Sequence, residues 1–259
     1  LHFTIMLKAI KSSLFSEFFN IGHGTVFGEG LRKNYKYPVN FSYSVDDSLK
    51  NVDKNYRDFS NFVNISEKNI KRVKQTHSSI VQVVDDYEMP NYFYEADSLI
   101  TNLPNICLSI TTADCLPILI YAKDKNYIAN IHAGWRGAKK GIIENTINKL
   151  ISLGCNTKNI YAAIMPAINV ESYEVSKDFY EDFILESKDS GRFFDLSKSN
   201  LYFFDLKHYA FAKLKKLGVN KVDILGYDSF NIECLFSHRS TTKNNGKAGR
   251  NLNYIMIND

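Results

Sequence analysis

Residues 111–137 read TTADCLPILIYAKDKNYIANIHAGWRG, and the fold turns on how that stretch is laid out. Leu116–Ala122 is apolar and Tyr127–Ile131 is half apolar. Lys123-Asp124-Lys125-Asn126 separates them as a polar turn. The pattern predicts an antiparallel hairpin with Ala122 opposite Tyr127. In that register Cys115 faces Gly134 and His132 faces Pro117. Cys115 and His132 then point to the same side as diagonal neighbours, roughly 7–8 Å apart at Cα. A turn one residue longer or shorter would send the two side chains to opposite faces.

The chain around this hairpin has 259 residues, of which 44% are hydrophobic and 23% charged, with a net charge of +4. That composition is globular, and the length suffices to bury a core without staples. Its basic residues are spread out rather than striped, so no nucleic-acid partner is expected. No apolar run approaches the ~18 residues of a membrane span, so no membrane partner is expected either. Cys107, Cys115, Cys155 and Cys234 show no CxxC spacing. That favours a reducing, cytoplasmic setting over a disulfide framework. Leu1–Ile5 reads as extra or upstream sequence before a start at Met6.

Outside the hairpin the pattern alternates short apolar runs with helical periods. The glycines of Phe15–Gly30 suggest a strand passing into a mobile loop, with His23-Gly24 as a turn. Asn40–Ser44 reads as extended. Asp46–Val63 has apolar positions three and four apart and reads as an amphipathic helix capped by Asp46 or Asp47. Ile70–Val84 suggests two strands broken around His77-Ser78-Ser79. Tyr94–Thr101, Ile106–Thr111, Asn159–Ile164 and Val222–Leu225 read as further strands. Ala138–Leu153, Ser176–Glu186 and Asp205–Leu217 read as helices, the first and last closed by Gly154 and Gly218. Phe236–Asn253 reads as a polar basic loop carrying Arg239, Lys243, Lys247 and Arg250, ahead of a last strand Tyr254–Ile257. One α/β (α+β) domain over residues 1–259 is expected, as a monomer or homodimer.

Three groups carry chemistry. His77, Cys115 and His132 supply two imidazoles and a thiol, separated by 38 and 17 residues. Such wide spacing fits ligands on separate strands of a formed core, and three protein ligands leave a zinc ion one open position. Cys115 as nucleophile with His132 as base, oriented by Asp114 or Asp97, fits the same geometry without a metal. The third group is His132-Ala133-Gly134-Trp135-Arg136-Gly137. There Arg136 and the helix start at Gly137 form a physical anion site. A binding protein that holds an anion without chemistry is the third reading.

KQTHSSIV, ADSLIT, TTADCLPILI, HAGWRGAKKGI and MPAINVESYEV together resemble the YfiH-like laccase-domain family. It is also labelled multicopper polyphenol oxidase or purine nucleoside phosphorylase. The resemblance implies a mixed β-sheet core flanked by helices, layered α-β-β-α. It places the zinc ligands on His77, Cys115 and His132, with copper as the other candidate. It implies phosphorolysis of adenosine, inosine and methylthioadenosine, with adenosine deaminase activity beside it. Substrate and phosphate contacts then fall to Gln75, Arg136, Gly137, Arg239, Arg250 and His23, and acid–base help to Asp114 or Asp97. Against phenol oxidation stand six histidines that never form an HxH pair, where copper clusters need several together. The chain departs from the family pattern at four places. Gly28 replaces an arginine, with Arg32 nearby. Met165 and Asn169 replace glycines, Ser229 replaces a cysteine, and HRSTT replaces an RRD-like motif.

Overall fold

The hairpin forms in the expected register: Ala122 pairs with Tyr127 and Pro117 with His132 across Leu116–Ala122 and Tyr127–Ala133. The computed structural model describes residues 6–29, 39–45, 47–93, 95–197, 201–243 and 248–259.

Two six-stranded mixed sheets and one three-stranded sheet make up the β structure. The first large sheet runs Met6–Ile10, Ile21–Glu29, Asn251–Ile257, Cys107–Thr112, Ile70–Val73 and Tyr92–Phe93 in spatial order. The second runs Lys221–Ile224, Ile160–Ile164, Leu116–Ala122, Tyr127–Ala133, Ser98–Thr101 and Val81–Val83, with the hairpin at its centre. The two sheets stack face to face, and the period of two along each strand divides the core. Leu119 and Tyr121 face the other sheet and pack with Leu108, Ile110, Ile255 and Ile257. Ile118, Ile120 and Ala122 face the helices and pack with Ile143, Ile147, Leu150 and Leu214. On the far side Leu252, Tyr254 and Met256 pack against Val52, Tyr56 and Phe59 of the helix Leu49–Val63. The order of layers is α-β-β-α, as expected. A strand covered on both faces reads as a continuous apolar run, which is why all seven residues of Leu116–Ala122 are buried.

Several expectations need correction. The stretch 138–153 is not one helix: Trp135–Lys139 and Ile142–Ser152 are separated by Gly141 at φ 92°, a left-handed value that ends the first helix. Residues around His23 form no turn and no loop; they lie inside the strand Ile21–Glu29, and glycine marked strand positions here. The helix near 46–63 starts at Leu49, capped by Ser48 rather than Asp47, while Asp46 lies outside the described residues. Asn40–Ser44 forms no strand. The segment 236–253 is not all loop. It contains the helix His238–Lys243, and the last strand begins at Asn251 because both its faces are buried. Lys247 and Arg32 lie outside the described residues.

Leu119 is fully buried between the sheets. Leu119→Ala is therefore expected to cost about 2–5 kcal/mol of stability, read as a lower denaturant midpoint with unchanged slope.

Candidate metal centre

His77, Cys115 and His132 come from three separate segments, and their ligand atoms lie within 4.8 Å of one another. No other group of three His, Cys, Asp or Glu side chains among the described residues could hold a metal. Cys115 Sγ is 3.6 Å from His77 Nε2, and the two imidazoles meet edge to face with centroids 4.8 Å apart. Cys115 and His132 sit at the open end of the hairpin. His77 sits on the loop after the strand Ile70–Val73, with φ 56°. Asp114 beside Cys115 has φ 80°. Two non-glycine residues in left-handed backbone, both at the cluster, show the turns being held by their surroundings.

What holds them is Asp97, fully buried at the start of Ser98–Thr101. Its carboxylate accepts from Thr76 N (3.2 Å), His77 N (3.1 Å), Ser78 N (2.7 Å), Ser78 Oγ (2.6 Å) and His132 Nδ1 (2.7 Å). His132 thus presents Nε2 to the cluster. Burial alone would raise the Asp97 pKa, but the bonds from His132 and Ser78 outweigh it and hold the carboxyl below its usual range. Burial opposes ionisation of Cys115 too, yet the His132 and His77 imidazoles bring the thiol down to about 6. For His132, burial is outweighed by the Cys115 thiolate and Asp97, and its pKa rises.

Gly134 completes the cluster by what it lacks. A Cβ there would stand 2.6 Å from His77 Cδ2 and 3.0 Å from Cys115 Sγ. The donor set is therefore packed around a glycine, and two imidazoles and a thiolate at this spacing fit zinc. His2Cys donors also suit copper.

The cluster opens into a cavity of about 710 Å³. Of the residues singled out from sequence, Gln75, His77, Asp114, Cys115, His132, Arg136, Arg239 and Arg250 line it. Gln75 bonds through both ends of its amide to the Thr111 backbone, tying the His77 loop to the neighbouring strand. Arg136 lies over the Trp135 ring at 4.4 Å. Arg239 donates from Nη1 to Glu174 O, and Arg250 from Nη1 to Ala248 O and Gly249 O.

The other candidates sit elsewhere. Gly137 is buried inside the helix Trp135–Lys139 and does not line the cavity. The helix begins two residues earlier, at Trp135, and its first hydrogen bond runs from Ala138 N to Gly134 O. His23 is buried with its ring against Phe15, and its Nε2 accepts from Ser12 N at 3.0 Å; it does not line the cavity. Asp97 and Asp114 have their carboxylates occupied. Asp114 accepts from Ser229 Oγ (2.7 Å) and Arg239 N (2.6 Å), so each orients a neighbour. Ser229, where the resemblance expects a cysteine, thereby fixes the residue before Cys115. Asn169 accepts from buried Lys207, and Met165 fills the inter-sheet core. Gly28 pairs with Leu7 away from the cavity. Sequence reasoning missed His238, Tyr173 and the tyrosines near Arg72, all cavity-lining. Nothing in their local pattern distinguishes them from surface residues.

Fold and cluster together define a layered α/β protein with one candidate metal centre. The profile of the family described as multi-copper polyphenol oxidoreductase laccase matches residues 27–258, and the chain belongs to that family. A protein of Rickettsia prowazekii named purine nucleoside phosphorylase is 37% identical over 159 residues, which is 61% of this chain and 65% of that one. The match thus spans just under two thirds of that relative's length. A Corynebacterium glutamicum protein with the same name is 29% identical over 221 residues, covering 85% and 89% of the two chains. The YfiH protein of Bacillus licheniformis, titled hypothetical, shares the fold at a TM-score of 0.81 and 24% identity over 94% of each chain. YlmD of Geobacillus stearothermophilus does so at 0.83 and 22%, covering 96% and 94%. Among the described residues no helix is long and apolar enough to cross a membrane.

Two outcomes are expected. In metal-free protein, alkylation of Cys115 should rise through about pH 6, well below an ordinary thiol's ~8.5, with the midpoint followed by mass spectrometry. Asp97→Asn should lower metal affinity about 10- to 100-fold in a chelator competition, since an amide nitrogen would face donors.

Proposed function

We propose that the chain is a zinc-dependent purine nucleoside phosphorylase that also deaminates adenosine. One observation carries the reading. The His77, Cys115 and His132 ligand atoms, within 4.8 Å of one another, share one cavity with Arg136, Arg239 and Arg250. A metal centre and several guanidiniums in one space suit a substrate that meets phosphate. Zinc held there would supply a Lewis acid and an activated water.

The chain's own residues do the rest. Arg136 and Arg239 bind the phosphate, and Arg250 adds positive charge beside them. Asp97 orients His132 and the His77 loop and moves no proton. Asp114 fixes the Cys115 turn against Ser229 and Arg239. In phosphorolysis a phosphate oxygen bonds to C1′ of the ribose while the bond from C1′ to N9 breaks. The base leaves with that electron pair and takes up a proton. In deamination water adds at C6 and the amino group leaves as ammonia. The names carried by the Rickettsia and Corynebacterium relatives support the first reaction.

Copper-dependent phenol oxidation is the second reading, favoured by the family description. Against it, His23 is bonded to Ser12 and His208 to Asp205, so neither extends the cluster.

Metal-replete protein given inosine is expected to release hypoxanthine and ribose 1-phosphate only when phosphate is present. Cys115→Ala should lose the metal by elemental analysis and at least 100-fold in kcat/KM. Inosine left intact by zinc-loaded protein, or phenol oxidation that appears with copper, would overturn the reading.

A further inference from the structure

Lys207 is a buried cation, 5% exposed, in the first turn of the helix Leu206–Lys216. The helix dipole disfavours a positive charge at that end. Burial pulls the pKa of the ammonium down to about 8. An apolar side chain of similar shape would fill the space without either cost. What the charge supplies is three N–H donors, and all three are used. Nζ donates to Asn169 Oδ1 (2.5 Å), Leu225 O (2.9 Å) and Tyr227 O (2.8 Å). Two backbone carbonyls from alternate residues of one loop, and a side chain from another, converge on one atom.

Both joined segments reach the turn before Cys115. Asn169 stands where the resemblance expects glycine, which would offer Lys207 no side-chain oxygen. Its own N donates to Asp228 Oδ1 (3.1 Å). Asp228, 9% exposed, also accepts from Phe230 N, Ser172 Oγ and Asn231 Nδ2. Cation and carboxylate are thus linked through Asn169. Leu225 N donates to Ile164 O and Ser229 N to Ala167 O, so the two segments run side by side. From the first, Ile168 N donates to Asp114 O (3.2 Å). From the second, Ser229 Oγ donates to Asp114 Oδ1 (2.7 Å). Asp114, at φ 80°, leads into Cys115. A non-glycine residue in that region of backbone stays there only while its surroundings hold it.

We propose that Lys207 is a positioning residue for the metal centre. Its ammonium pins residues 167–169 to residues 225–229, and the two segments together hold the Asp114 turn that aims Cys115 Sγ at the imidazoles. Without the cation, Asn169 Oδ1 and two buried carbonyls lose their shared donor. The segments then part, and the bonds to the Asp114 carbonyl and carboxylate loosen together. The thiolate leaves the ligand set before the imidazoles do, because Asp97 holds the His77 backbone and the His132 ring by bonds of its own. This role in ligation is independent of the reaction that the cavity performs.

The test titrates cobalt(II) and zinc into wild type, Lys207→Met, Asn169→Ala, Ser229→Ala, the double variant Lys207→Met/Ser229→Ala, and Leu119→Ala as a control with its defect in the inter-sheet core. A thiolate ligand gives bound cobalt a charge-transfer absorption that imidazoles do not. Lys207→Met is expected to lose most of that band at saturating cobalt, and about 10-fold in zinc affinity by chelator competition. Ser229→Ala should match it, and Asn169→Ala should lose about threefold. Lys207 and Ser229 act in series, so the double variant should bind zinc within about threefold of the weaker single variant, not about 100-fold below wild type. Leu119→Ala lowers the denaturant midpoint, yet should keep the cobalt band and a zinc affinity within about twofold of wild type. That contrast separates positioning from a general loss of stability. A wild-type band and zinc affinity in folded Lys207→Met would overturn the role, as would a double variant that loses the product of the two single losses. If Lys207→Met does not fold, Asn169→Ala and Ser229→Ala decide, and unchanged zinc affinity in both overturns the proposal. Wild-type protein that gives no thiolate band overturns it as well.

Discussion

The carboxylate of Asp97 is the constraint on which the site depends. It is fully buried and accepts from three successive backbone N–H groups, one hydroxyl and one imidazole. A buried charge is tolerated only when it is hydrogen-bonded and paired, and here every bond it makes also places a ligand. The bonds to Thr76, His77 and Ser78 hold the left-handed turn that brings His77 inward. The bond to His132 fixes its tautomer and orientation. One carboxylate therefore couples the strand Ser98–Thr101, the His77 loop and the hairpin.

Around that anchor the two-sheet core provides rigidity and the loops provide chemistry. The hairpin strands are buried on both faces, so their register cannot slip without exposing apolar side chains. Cys115 and His132 sit at the hairpin's open end, where the apolar run stops. Gly134 keeps the cluster free of a Cβ that would collide with His77 and Cys115. The guanidiniums of Arg136, Arg239 and Arg250 and the tyrosines around Arg72 arrive from different elements. The cavity is thus a meeting point of loops on a fixed frame.

Much of this is legible in the sequence because its signals are local. The four-residue turn set the hairpin register, and the pairing of Ala122 with Tyr127 follows. Helical periods located Lys177–Glu186 and Leu206–Lys216 to within a residue. Where the reading failed, a longer-range effect won. Gly141 ended a helix whose apolar spacing continued past it. The glycines near His23 belong to a strand, because pairing with the last strand supplies what local propensity lacks. His23 itself is held by Ser12, a contact no spacing rule exposes. The basic stretch before the last strand hides a short helix whose residues carry no apolar stripe.

The sequence by itself determined the side of the hairpin on which Cys115 and His132 lie, because that follows from periodicity and turn length, while the layer order came through the family resemblance. It also named His77 as a third candidate ligand from residue type and spacing, which the family resemblance then reinforced. Only the tertiary structure showed that the Asp97 and Asp114 carboxylates are engaged by neighbouring donors, since those donors stand 19 to 125 residues away in the chain. It also removed Gly137 and His23 from the cavity and brought Arg72 into it beside three tyrosines. Those placements depend on how separate strands and loops pack, which short-range chemistry does not fix.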